Sequence, residues 1–151
     1  MAWVDLQSPA LRQHLSHWCV FRGARRVASI DAFDEFIRSL DPTFLATIGA
    51  SKKRECVFTS VGANIAVLFP GCTKGMRFSD VNPLPVRLGL TRLLQEVFVD
   101  RQPGSRRSTY RQQYAESYYE QLFLPFVDKD FDVRFIAIVA DGYSVQRGAG
   151  Q

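Results

Sequence analysis

The 151-residue chain is of single-domain size, and its 46% hydrophobic content with twelve Phe, five Tyr and two Trp excludes an intrinsically disordered segment. A net charge of +4 permits an anionic partner without demanding nucleic acid, and no helix-turn-helix, zinc-finger or RNP-type motif accompanies the arginines. Cys19, Cys56 and Cys72 are odd in number and widely spaced, which indicates neither a disulfide framework nor a zinc site and suits a reducing cytoplasm; the N-terminus lacks a signal-peptide pattern, and no apolar run reaches the roughly 18 residues of a membrane span.

Ser8 and Pro9 read as an N-cap and first helical residue, and Leu11, Leu15, Trp18 and Cys19 recur at i, i+4, i+7 and i+8. The spacing predicts a helix over 9–22. Ala10, His14, His17 and Phe21 add an adjoining row, so this helix can pack on two surfaces, one of them another subunit's. Arg22, Arg25 and Arg26 gather where positive charge suits the helix dipole and Gly23 breaks the helix; capping is their expected role, with an anion site as the alternative. Asp31 is the expected N-cap of a second helix carrying Phe33, Phe36, Ile37 and Leu40, which ends before Asp41-Pro42.

Residues 43–48 and 55–61 read as antiparallel strands joined by a basic tip. A short apolar helix over 63–69, closed by Pro70 and Gly71, leads into a glycine-marked loop and an Asn82-Pro83-Leu84-Pro85 turn. Val86, Leu90, Leu93, Leu94, Val97 and Phe98 then mark the strongest helical stripe in the chain. Gln102-Pro103-Gly104-Ser105 signals a type II turn, followed by strands over 108–114, 118–127 and 131–140, with a turn at Asp128-Lys129-Asp130 and a bulge or unpaired side expected at Pro125. The residues from Asp141 onward read as a small, polar tail. Two strands, then helices, then three strands describe an α+β layout built on a five-stranded antiparallel sheet.

Several short pieces in this order carry a family resemblance: Trp18 with Arg22-Gly23-Ala24-Arg25-Arg26, Asp41-Pro42-Thr43-Phe44-Leu45, Val61-Gly62 with Leu68-Phe69-Pro70-Gly71, Gly75-Met76-Arg77-Phe78, and Leu124-Pro125-Phe126. Together they resemble the single-domain PAS-type proteins common in alphaproteobacteria, over about residues 11 to 140. Val27-Ala28-Ser29-Ile30 departs from the proline-containing run that family often has there. The resemblance implies a sheet in the order 2-1-5-4-3, helices over one face enclosing a cavity, and an N-terminal helix used in dimerisation. It divides the chain into a helical extension (1–42), a PAS-like core (43–142) and a polar tail (143–151). The function it implies is a stand-alone sensory or protein-interaction module of bacterial signalling that passes a signal to a separate partner protein. The alternative is a small cone-shaped α+β enzyme of the ketosteroid isomerase kind.

The chemistry expected of the side chains is sparse. Photosensors of the PAS superfamily need a reactive cysteine on the short helix; Ala63-Asn64-Ile65-Ala66-Val67-Leu68-Phe69 has none, which excludes covalent flavin photochemistry. The histidines, His14 and His17, lie on the first helix without a third ligand nearby, so neither haem nor another metal is expected. Asp31, Asp34 and Glu35 look like a helical first turn, and Glu116 and Glu120 like an exposed sheet face, so no catalytic set is indicated. Phe58, Ile65, Phe69, Val97, Phe98, Tyr110, Leu122, Leu124, Phe135 and Ala137 are expected to fill the core, or to line a small-molecule pocket if one is kept open. Leu11, His14, Leu15, Trp18 and Phe21 are the expected homodimer surface.

Overall fold

The computed structural model describes residues 5–69, 71–81, 84–112 and 115–146, with the backbone alone described at 67, 84–86, 110–112, 115–117 and 143–146. Helix α1 (Pro9–Arg22) begins and ends where the local chemistry predicts. The Ser8 hydroxyl oxygen accepts from the Leu11 amide at 3.1 Å, and Pro9 has no amide to leave unpaired. Gly23, at φ +62°, ends the helix with its amide donating to the carbonyls of Cys19 and Val20.

The second helical region is shorter than its periodicity suggests. The Ser29 side chain, rather than Asp31, accepts the first free amide, that of Asp31, and caps a single 3₁₀ turn over Ile30–Ala32. Helix α2 (Phe33–Arg38) follows directly and is six residues long. Asp41 caps another 3₁₀ turn, Pro42–Phe44, so the first long strand starts at Leu45 instead of Thr43.

The sheet contains β1 (Ala28–Ser29), β2 (Leu45–Ala50), β3 (Cys56–Val61), β4 (Gly104–Gln112), β5 (Ala115–Val127) and β6 (Val133–Gln146). Its five long strands lie side by side as β3-β2-β6-β5-β4, antiparallel throughout, which is the order 2-1-5-4-3 in chain numbering. The sequence gives no strand signal for β1. It pairs parallel with β5 at Ala28↔Phe126 and Ser29↔Val127, extending the edge that β4 occupies as far as Gly104↔Phe123. The expected irregularity near Pro125 is a register shift between Phe126 and Val127. β6 continues four residues past Gly142 as a partner of β5, through the segment read as polar tail; residues 147–151 lie outside the described residues.

Between β3 and β4 the chain runs through 3₁₀ turns at Ile65–Leu68 and Phe78–Asp80 into α3 (Leu84–Asp100). The expected Asn82-Pro83 turn and Pro70 fall outside the described residues. The type II turn expected at 102–105 is absent: Gly104 is the first residue of β4. A Cβ there would stand 2.8 Å from Leu93 Cδ1 and 3.1 Å from Val97 Cγ2, so glycine lets α3 pack closely on the strand, and a larger residue would make those side chains shift.

Cross-strand partners point to the same face, so the pairing sorts the sheet into two sides. One side carries Glu120, Leu122, Leu124 and Phe126 with their β6 partners Asp141, Val139, Ala137 and Phe135. Helices α1 and α2 cover it. The Trp18 indole donates to the Pro125 carbonyl at 3.0 Å, and Phe33 stacks on Phe135 and meets Phe126 edge-on, with centroids 4.7 and 5.1 Å away. The Glu120 carboxylate accepts from the amides of Gln7 and Ser8 at 2.7 and 2.6 Å, and the Ser8 hydroxyl donates to Asp141 at 2.6 Å. Two acidic residues of the sheet thus hold the N-terminus of α1, where negative charge is favoured. The opposite, inner side carries Phe123, Ile136 and Ile138 under α3 and the 3₁₀ turns. There Phe58 packs on Phe69 and Phe78 at 5.8 and 5.7 Å. Helices therefore cover both faces, the N-terminal pair taking the outer one.

Candidate functional site

Two features of the inner side can serve a ligand. The first is a cleft of about 560 Å³ where the start of β3, the segment around Phe78 and α3 meet; Cys56, Arg77, Thr91, Gln95 and Phe98 are among its walls. The backbone there is fixed by bonds between Phe58 and its neighbours, its amide donating to the Met76 carbonyl and its carbonyl accepting from Gly75. Arg54, at φ +62°, places its guanidinium 5.9 Å from the Phe98 ring centre, as in a cation–π contact. Burial pushes the Cys56 thiol up to about 11 and raises that of Cys72, so neither is a thiolate nucleophile at neutral pH.

The second feature is polar and buried. Gly104, Arg106 and Ser108 alternate on the face of β4 that turns toward α3, opposite Phe123, Gln121 and Tyr119 of β5. Gln121 is 1% exposed. Its Nε2 donates to the Ser108 hydroxyl at 2.9 Å, but among the described residues its Oε1 has no partner, and neither has the buried Nη1 of Arg106 directly across the ladder. Burial pulls the Arg106 guanidinium below the usual arginine value. A buried polar atom without a partner costs about 1–3 kcal/mol, so these two atoms mark where the inner side of the sheet is short of hydrogen bonds.

The residues expected to line a pocket do not come together. Phe58, Ile65, Phe69, Val97 and Phe98 are buried on the inner side, and of these Phe98 reaches the cleft. Leu122, Leu124, Phe135 and Ala137 belong to the outer side, beneath α1 and α2, with the sheet in between. The Tyr110 side chain lies outside the described residues. Leu11 and Trp18 are fully buried against the chain's own sheet and present nothing to a second subunit, while His14, Leu15 and Phe21 are half-buried. His17 packs on Phe21 and Phe36, with centroids 4.9 and 5.5 Å apart. Among the described residues no cluster of His, Cys, Asp and Glu is placed to hold a metal, and no helix is long and apolar enough to cross a membrane.

The solved structures similar to this chain include two bacterial ones. One is a sensory box sensor histidine kinase from Vibrio cholerae, 14% identical, with 76% of this chain and 90% of that chain covered and a TM-score of 0.46. The other is the PAS domain of BvgS from Bordetella pertussis, also 14% identical, with 74% and 84% covered and a TM-score of 0.41. No protein-family model matches the chain, and no curated protein matches it in sequence.

The polar residues of the inner side carried no sequence signal of their own. Arg106 sits in the run Ser105-Arg106-Arg107-Ser108, where Arg107 faces the other way and pairs with Glu120 at 3.4 Å. Glu120 itself, read as exposed from its neighbours, is 1% exposed. The one usable hint was Gln121 immediately ahead of the apolar run Leu122–Phe126, a polar residue in the middle of a strand whose following residues are buried on both faces.

Proposed function

We propose that this chain is a PAS-type sensory or interaction module of bacterial signal transduction, reporting to a separate partner protein and performing no catalysis of its own. The observation that carries the reading is the order of the five long strands, with α3 and the 3₁₀ turns packed on one face. Architecture specifies a scaffold and not a ligand, so the sensing role rests on the site: the open hydrogen-bonding groups of Arg106 and Gln121 beneath α3. Three free thiols suit the reducing cytoplasm in which such a module works. Self-association through α1 belongs to the same reading, carried by exposed Val20 and the half-buried residues beside it instead of by Leu11 and Trp18.

The test is Gln121→Met, which keeps strand pairing and side-chain length and removes the unpaired carbonyl. The penalty released, about 1–3 kcal/mol, outweighs the roughly 1 kcal/mol of the Ser108 bond lost with it, so the variant is expected to be more stable than the wild type. In a thermal-shift screen of small carboxylates, amides and phosphates, a compound that stabilises the wild type is expected to lose its effect on the variant. A destabilised variant that still responds to the same compound would remove Gln121 from any sensing role.

A further inference from the structure

At the end of the sheet away from the Arg106–Gln121 pair, three loops distant in sequence meet around a cleft of about 900 Å³. The α1–β1 connection supplies Arg25 and Arg26, the β2–β3 tip supplies Lys52, and the β5–β6 hairpin supplies Lys129 with Arg134 just beyond it. Five cationic side chains thus line one concavity with three carboxylates, those of Asp31, Asp128 and Asp130. Asp128 is already engaged. Its carboxylate accepts from the amides of Asp130 and Asp132 at 2.9 and 3.1 Å and from Arg134 at 3.4 Å, shaping the hairpin. Arg134 also donates to the Ala50 carbonyl at 2.8 Å, tying the hairpin to β2 and stiffening the floor of the cleft.

Arg25, Arg26, Lys52 and Lys129 form no ion pair with any described residue. Against these four cations stand the carboxylates of Asp31 and Asp130, so the concave surface keeps an excess of positive charge that attracts a compact anion. The other walls are apolar: Val27 and Val127 are buried at the base, Ile30 is half-buried, and Phe131 is 41% exposed. Phe131 adopts φ +68°, unusual for an aromatic residue, and one of its faces meets Arg101 at 5.1 Å.

We propose that this cleft binds a small oligophosphate, of the class that includes inorganic polyphosphates and nucleoside polyphosphates, with its phosphates on Arg25, Arg26 and Lys129. Arginine's planar fork suits phosphate oxygens, and the volume is in the range of small-molecule sites, roughly 300–1,000 Å³. A cleft bordered by three loops fits a compact anion better than an extended nucleic-acid backbone, which needs a continuous basic track. The site lies apart from the inner-side pair, and the proposal does not depend on the sensory reading.

Calorimetric titration of the full chain with tripolyphosphate, ATP and adenosine tests it. Tripolyphosphate and ATP are expected to bind, with affinity falling as salt rises from about 0.05 M to about 0.5 M. Tighter binding of ATP would place its ring on the apolar wall, and equal binding would place the phosphates alone; both agree with the proposal. The Arg25→Ala/Arg26→Ala variant should lose about tenfold or more in affinity with its melting temperature unchanged, and Arg92→Ala, an exposed charge on α3, should lose nothing. No binding of either oligophosphate would overturn the proposal, as would equal losses in both variants. Citrate binding as tightly as tripolyphosphate would overturn the phosphate assignment, and a short oligonucleotide binding more tightly than either would favour nucleic acid instead.

Discussion

Trp18 decides whether α1 belongs to the monomer's core or to a contact between monomers. In the structure it is fully buried, and its indole N–H donates to the Pro125 carbonyl beside the irregularity in β5. Truncation to alanine would remove a large aromatic surface at a cost of about 3–5 kcal/mol, a large share of the roughly 5–15 kcal/mol that holds a domain of this size together. Trp18→Phe is the better probe. It keeps an aromatic ring against the sheet, deletes the donor and leaves the Pro125 carbonyl short of a partner, so the expected loss is about 1–3 kcal/mol. Urea unfolding followed by far-UV circular dichroism measures it, with an unchanged slope showing that the same surface is exposed. Light scattering on both proteins should give the same mass. A Trp18→Phe protein within about 0.5 kcal/mol of wild type that shifts from dimer to monomer would refute the placement of Trp18 inside its own chain.

Gly62→Ala should cost about 1–3 kcal/mol in the same assay, because a Cβ there would fall on the backbone carbonyls of Pro42 and Thr43; wild-type stability would show that the two segments part easily. Iodoacetamide at neutral pH should label Cys56 slowly in the folded protein, with labelling accelerating as pH approaches about 11; rapid modification at pH 7 would contradict the burial that raises this thiol. Stability should fall in acid in two stages. Burial and then the charge of His17 hold His14 below its ordinary 6.5, against the pull of Asp141, so below about that pH the unfolded chain takes up the proton first and folding loses ground until the folded value is passed. Asp41 is lowered by the Thr43 amide and hydroxyl. Asp128, although burial pushes it up, is lowered further by the amides of Asp132 and Asp130 and by Arg134, so their contribution is present above 3.8 and disappears as pH drops through their folded values. His14→Gln should remove the first stage alone, and a first stage of unchanged size in that variant would assign it elsewhere.

Much of the architecture was legible because its signals are local. Ser8-Pro9 and Gly23 bound α1 through hydrogen bonds and dihedral preferences acting within a few residues, and the stripe Leu90, Leu94 and Val97 needs only a helical period to be recognised. The Asp128-Lys129-Asp130 turn is set by Asp128 accepting amides two and four residues ahead. β1 escaped notice because two residues have no periodicity; its pairing exists only because β4 stops at Gly104 and leaves the end of β5 open. The turn expected at Pro103-Gly104 was misplaced for a similar reason. Glycine there answers to the approach of α3, a distant demand that looks the same in sequence as a turn.

Sequence by itself determined α1, α3, the five long strands and, through resemblance, their order, since periodicity, caps and turn residues act at short range; the short helix expected over 63–69 is a 3₁₀ turn instead. Only the tertiary structure decided which face each strand residue serves. In a sheet covered on both sides, apolar residues occupy both parities, so Leu122 and Leu124 cannot be told from Phe123 until pairing sets the register; that is why the expected pocket divided between two faces. The same holds for charge. Arg25, Lys52 and Lys129 are three unremarkable surface cations along the chain, and they become a single field because β2, β5 and β6 lie side by side and bring their connecting loops to one end of the sheet.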